Sequence, residues 1–117
     1  MIRSTQGKSL IQPEQAEKPA GILRALGNPV RLRIVACLAD GGEQTVGALR
    51  RTLELPQSSV SRHLSWLRLH ELVAVRNEGG FRYYTIAMPQ LTVLLGCLEQ
   101  CCPGVDAENS NTSEEVD

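Results

Sequence analysis

Leu55-Pro56-Gln57-Ser58-Ser59-Val60-Ser61-Arg62-His63-Leu64-Ser65-Trp66-Leu67-Arg68-Leu69-His70-Glu71-Leu72 carries a helical period with two unlike sides. Val60, Leu64, Leu67 and Glu71 recur at i, i+4, i+7 and i+11, so three apolar residues stack along one side of a helix. About half a turn away lie Ser58, Arg62 and Ser65, flanked by Ser61, with no carboxylate among them. A helix with one apolar side and one small, cationic, hydrogen-bonding side suits insertion into a DNA major groove. The same pattern also fits an ordinary amphipathic surface helix, and the flanking chain separates the two.

Immediately upstream, Thr45 can cap a helix from Val46 to about Leu53 whose Val46, Leu49 and Leu53 face inward. Leu55-Pro56 breaks it, and two helices joined by so short a turn form a helix-turn-helix. Downstream, Leu72-Val73-Ala74-Val75-Arg76 and Phe81-Arg82-Tyr83-Tyr84-Thr85-Ile86 are β-prone runs around Asn77-Glu78-Gly79-Gly80. They read as a hairpin, the wing of a winged helix, with Arg76 and Arg82 flanking its tip for a phosphate or minor-groove contact. This succession selects DNA binding over the plain surface helix.

Further out, Asn28-Pro29 is an N-cap followed by proline at the first helical position, and the helix runs to about Ala39. Leu32, Val35, Ala36 and Ala39 share one face, with Val30, Ile34 and Leu38 elsewhere. Apolar nearly all round, it is the expected central buried helix, with Cys37 as core. Pro19–Leu26 is a short helix ended by Gly27. Residues 1–15 read as a flexible arm and residues 16–102 as the winged-helix DNA-binding and dimerisation domain. Pro89 to Cys102 is the last helix, in which Leu91, Leu94, Leu95 and Leu98 form a narrow seam. Following a complete winged helix, that seam is expected to pair with a second copy of itself. Residues 103–117 read as a disordered acidic tail.

At 117 residues the chain is one small domain with tails. With one Phe, two Tyr and one Trp, its core must come from Leu, Val, Ile and Ala, the habit of a mainly α domain. The net charge of -1 conceals a division. Asp106, Glu108, Glu114, Glu115 and Asp117 give the last 15 residues -5, leaving 12 basic against 8 acidic groups before them. From residue 50 to 82 the bases are all arginine, which favours phosphate contact. No window approaches the roughly 18 apolar residues of a membrane span. No apolar run follows Arg3 and Lys8, so no signal peptide is read, and the expectation is a cytoplasmic protein. Cys37, Cys97, Cys101 and Cys102 are then reduced thiols, suited to metal or redox chemistry. No phosphate-binding glycine loop or nucleophile–base set exists, so no enzyme and no organic cofactor are expected. His63 reads as a residue near DNA and His70 as a solvated helix end. Trp66 and Leu69 are expected to pack against the wing.

Three ordered motifs carry a family resemblance: residues 25–34 (Ala-Leu-Gly-Asn-Pro-Val-Arg-Leu-Arg-Ile), 57–64 (Gln-Ser-Ser-Val-Ser-Arg-His-Leu) and 79–84 (Gly-Gly-Phe-Arg-Tyr-Tyr). Over about residues 20–102 the chain resembles the ArsR/SmtB family of metal-responsive repressors. The resemblance implies a homodimeric winged helix-turn-helix that binds a near-palindromic double-stranded DNA operator and leaves it when an inducer binds. The family's commonest arsenite site is a Cys-x-Cys opening the helix before the recognition helix, where this chain has Glu43-Gln44-Thr45-Val46-Gly47. Its zinc-type site on the last helix needs histidine, and none is there. What remains is similar to a smaller arsenical-responsive subgroup with a vicinal cysteine pair ending the dimerisation helix. Some members of that subgroup carry a third cysteine after the pair; here none follows Cys102, and Cys97 is the nearby candidate.

Trivalent arsenic and antimony are soft and thiophilic, binding up to three thiolates. Cys97 and Cys101 lie at i, i+4 with Cβ atoms about 5–6 Å apart, and Cys102 lies about 100° round the helix from Cys101. Three thiolates suit As(III) or Sb(III), whereas Cys101 and Cys102 alone suit methylarsenite. Candidate inducer ligands are thus Cys97, Cys101 and Cys102. Candidate DNA contacts are Gln57, Ser58, Ser59, Ser61, Arg62, His63, Arg76 and Arg82, with Arg62 for a guanine edge and Gln57 for adenine or phosphate. The rival reading keeps the fold but makes Cys37 and a C-terminal cysteine a reactive-sulfur or redox sensor.

Overall fold

The structure, a computed structural model, describes residues 11–102. Its centre is helix α2 (Pro29–Gly41), which contacts every other helix and the last strand of the sheet. The Asn28 side chain starts it, accepting the backbone N–H groups of Val30 (2.9 Å) and Arg31 (3.0 Å). Ile34, Val35 and Leu38 are buried, while Ala36 is exposed. The buried set draws on both groups of apolar residues, Val35 from one and Ile34 and Leu38 from the other. In a helix apolar nearly all round, periodicity does not choose the face, and the larger side chains gain most from burial.

Helix α1 (Glu17–Leu26) starts two residues before Pro19 and buries Ala25 and Leu26. Within the segment read as an arm, Pro13–Gln15 form a 3-10 turn in which the Gln12 N–H donates to Gln15 Oε1 at 3.0 Å. Residues 1–10 of that arm and the acidic tail lie outside the described residues.

The helix-turn-helix consists of α3 (Val46–Leu53) and α4 (Gln57–Leu69). Thr45 Oγ1 caps α3 by accepting the Ala48 N–H at 3.1 Å. Glu54 ends it in the left-handed conformation (φ 57°, ψ 51°), with the Leu55 N–H bonded to the Arg50 carbonyl at 3.2 Å. Val60, Leu64 and Leu67 of α4 are wholly buried, as their spacing requires, in a core shared with α2 and α3.

Strands β2 (Val73–Glu78) and β3 (Phe81–Ile86) form the wing, closed by Gly79 and Gly80 at φ 59° and 83°. Two successive positive φ angles are what a two-residue hairpin turn demands. A third strand, β1 (Gln44–Thr45), was not anticipated. It pairs antiparallel with β3, giving the order β1-β3-β2.

Helix α5 (Gln90–Cys101) closes the domain against α2. Leu91 is only 1% exposed and belongs to the chain's own core, with Leu94 and Leu95 packed partly against it. The expectation that the leucine seam has no core left to join is thus corrected for its first residue. Val93 (68% exposed) and Leu98 (40%) face outward.

Candidate nucleic-acid interface

Opposite its buried stripe, α4 presents Ser58, Arg62 and Ser65 to solvent, with Gln57 exposed in its first turn and Ser59, Ser61 and His63 half-buried on the flanks. Arg68 continues this surface, since Ser61, Ser65 and Arg68 fall at i, i+4 and i+7. Burial lowers the His63 pKa, and the nearby positive charges of Arg62 and Arg31 lower it further. Both effects favour the neutral imidazole, which donates from one nitrogen and accepts at the other.

The predicted packing of Trp66 and Leu69 on the wing is not what the structure shows. Trp66 stacks on His70, with ring centroids 3.8 Å apart, and carries the Arg31 guanidinium at 4.0 Å from its ring centroid. Leu69 is 77% exposed. The interhelical contact of Trp66 is thus with α2. Sequence reasoning missed Arg31, whose signal was its place three residues after the Asn28 cap, on the first turn of the central helix.

The two wing arginines differ. Arg82 sits across from Asn77 and on the same face as Tyr84, whose ring centroid is 5.8 Å from its guanidinium carbon. It forms no ion pair among the described residues. Arg76, on the opposite face, donates through Nε and another guanidinium nitrogen to both oxygens of Glu43, each at 2.9 Å, and also bonds Glu78. The hydrogen bond from Arg76 holds the Glu43 carboxyl below the usual carboxylate range, and the two carboxylates raise the Arg76 pKa. Glu43 lies 33 residues away in sequence, and no local charge pattern identifies it.

Cys97 and Cys101 are exposed one turn apart on α5, and Cys102 caps that helix with non-helical angles (φ -125°, ψ 61°). Among the described residues, no three His, Cys, Asp or Glu side chains are placed to hold one metal ion. The thiol donors match a soft ion in chemistry, but their three sulfurs are not brought together within one chain. Cys37 is half-buried on α2, where Gln44 Nε2 donates to its carbonyl at 2.9 Å and the amide lies 3.6–3.7 Å from its sulfur. Among the described residues no helix is long and apolar enough to cross a membrane.

An exposed serine–arginine helix, preceded by a capped helix and followed by a two-stranded wing, defines a winged helix-turn-helix DNA-binding protein. A helix-turn-helix domain model matches residues 26–76. The transcriptional activator HlyU of Vibrio cholerae is 36% identical over 87 residues, covering 74% of this chain and 80% of that protein. The AntR antimony-specific transcriptional repressor superposes with a TM-score of 0.72 at 25% identity, over 86% of this chain and 93% of that one. The homodimeric winged helix-turn-helix domain of a possible ArsR-family regulator from Mycobacterium bovis gives 0.69 at 29% identity, over 83% and 89%. The chain belongs to the ArsR/SmtB family of transcriptional regulators. These relatives are transcription regulators, not enzymes.

Proposed function

We propose that the protein is a homodimeric repressor that binds a near-palindromic operator through α4 and Arg82 and is released by trivalent arsenic or antimony at Cys97, Cys101 and Cys102. The observation that carries this reading is three exposed thiols within six residues at the end of α5. That helix is rooted in the core by Leu91 and packs on α2, which in turn packs on α4. Closing thiolates on one soft ion therefore acts on an element already coupled to the recognition helix. The likeness to an antimony-specific repressor supports the choice of ion.

In the dimer, Leu94, Leu95 and Leu98 supply the apolar contact together with Val93. Leu91 stays in its own subunit. Two recognition helices about 34 Å apart then meet successive major grooves of one DNA face. A ligand that reshapes the end of α5 changes that spacing.

A gel-shift assay on DNA recovered by binding-site selection tests this, with arsenite, antimonite, methylarsenite and hydrogen peroxide added in turn. Release by the trivalent metalloids that survives Cys37→Ser and is lost in Cys101→Ser/Cys102→Ser is expected. Release by peroxide alone, or a metalloid response that vanishes with Cys37→Ser, overturns the reading in favour of the thiol-redox one.

A further inference from the structure

Arg76 starts on β2 and ends beyond β3. In the sheet register Arg76 faces Tyr83 and Tyr83 faces Thr45, so the three form one rung across all three strands. The Arg76 guanidinium lies over the Tyr83 ring, 4.8 Å from its centroid, and reaches both oxygens of Glu43 at 2.9 Å. Glu43 immediately precedes β1, a strand of only two residue pairs. Thr45, which ends β1, is the residue that caps α3. One side chain thus ties the wing to the strand from which the helix-turn-helix begins.

Isolated surface ion pairs hold little, but a bidentate guanidinium–carboxylate pair seated on an aromatic ring is the geometry in which such a pair does hold. The side chains of Arg76 and Glu43 are 48% and 37% exposed, so the pair is partly shielded by the ring and the sheet. With Glu43 and Glu78 both on Arg76, two carboxylates face one guanidinium, which leaves that face of the wing without free positive charge. Arg82 projects from the opposite face and keeps its charge.

We propose that Glu43 is a positioning residue for DNA binding: through Arg76 it braces the wing against the helix-turn-helix, and Arg82 alone makes the wing's phosphate contact. The inference rests on the DNA-binding reading and is independent of which inducer acts. It gives Glu43 an effect opposite to simple electrostatics. Deleting a carboxylate near DNA ordinarily strengthens binding to the polyanion, whereas deleting a brace weakens it.

The test is operator affinity of the full chain measured over a range of salt, where each phosphate contact contributes about 0.9 to the slope of log affinity against log salt. Arg82→Ala lowers that slope by about 0.9 per bound subunit. Arg76→Ala and Glu43→Ala each weaken binding about fivefold with the slope unchanged. The double variant is no weaker than Arg76→Ala, because the two act as one unit. Amide exchange of the free protein reads the brace without DNA. Glu43→Ala speeds exchange across the β1–β3 pairs and leaves the α2 core unaffected. A slope loss in Arg76→Ala equal to that of Arg82→Ala overturns the proposal, as does a Glu43→Ala chain that binds as tightly as the parent or tighter. A parent chain that binds no selected DNA overturns the underlying reading instead, and unchanged exchange in Glu43→Ala then overturns the brace.

Discussion

Arg31 lies across the indole of Trp66, its guanidinium carbon 4.0 Å from the ring centroid, and so joins α2 to the recognition helix. Its Nε donates to the Ala25 carbonyl at 3.2 Å and an Nη to that of Arg24 at 3.4 Å, so the same side chain also closes the end of α1. A charged hydrogen bond and a partly desolvated cation–π contact together stabilise by roughly 2 kcal/mol. Arg31→Ala should lower the urea midpoint accordingly. Arg31→Lys should lose about half as much, since an ammonium keeps the charge but not the planar fork. A lysine variant as stable as the parent would remove the stacking from the explanation.

Each helix of the helix-turn-helix is followed by a glutamate in the left-handed region, Glu54 directly after α3 at φ 57° and Glu71 two residues after α4 at φ 66°. In each case the next amide closes a 6→1 bond, Leu55 to Arg50 and Leu72 to Leu67, the arrangement glycine favours. Relief of left-handed strain exceeds the added chain entropy of glycine by about 0.5–1 kcal/mol. Glu54→Gly and Glu71→Gly should therefore each raise Tm by about 2–6 °C. A fall in Tm on either substitution would mean the glutamate side chain makes a contribution that its backbone angles do not reveal.

His63 has a folded-state pKa below that of the unfolded chain, mainly through burial. The unfolded state then takes up the proton first as the solution is acidified. The stability His63 contributes is complete above about pH 6.5. It is lost as pH falls through the lower folded value. Glu43 acts in the same direction further into acid, because its carboxyl is also depressed. An NMR titration of the His63 ring should show a midpoint below 6.5, and His63→Gln should flatten the stability profile between about pH 7 and 5. A midpoint at or above the free-histidine value contradicts this.

Much of the fold is legible in the chain because it is written in local signals. The Asn28-Pro29 start, the Thr45 cap, the Pro56 break and the Gly79-Gly80 turn each act within four residues. Strand β1 escaped notice because two residues carry no period, and only the non-local partner Tyr83-Tyr84 makes them a strand. Helical spacing identifies the apolar face that holds Leu91 but not what covers it, so the sequence alone points Leu91 at a partner subunit while the fold buries it in its own core. Arg76 and Arg82 look alike in sequence. What separates them is strand alternation combined with Glu43, which the sheet, not the local sequence, places beside Arg76. The α4 face was read directly, since opposite sides of one helix follow from numbering alone.

Fluorescence anisotropy of labelled operator, comparing Kd with and without stoichiometric antimonite, reads release by a metalloid at equilibrium. The parent chain should lose about 5- to 150-fold in affinity, the usual range of coupling between two sites. Cys101→Ser/Cys102→Ser should bind the operator as the parent does and ignore antimonite. An operator Kd that antimonite leaves unchanged in the parent, or a double variant that still releases, contradicts a sensor built on the end of α5.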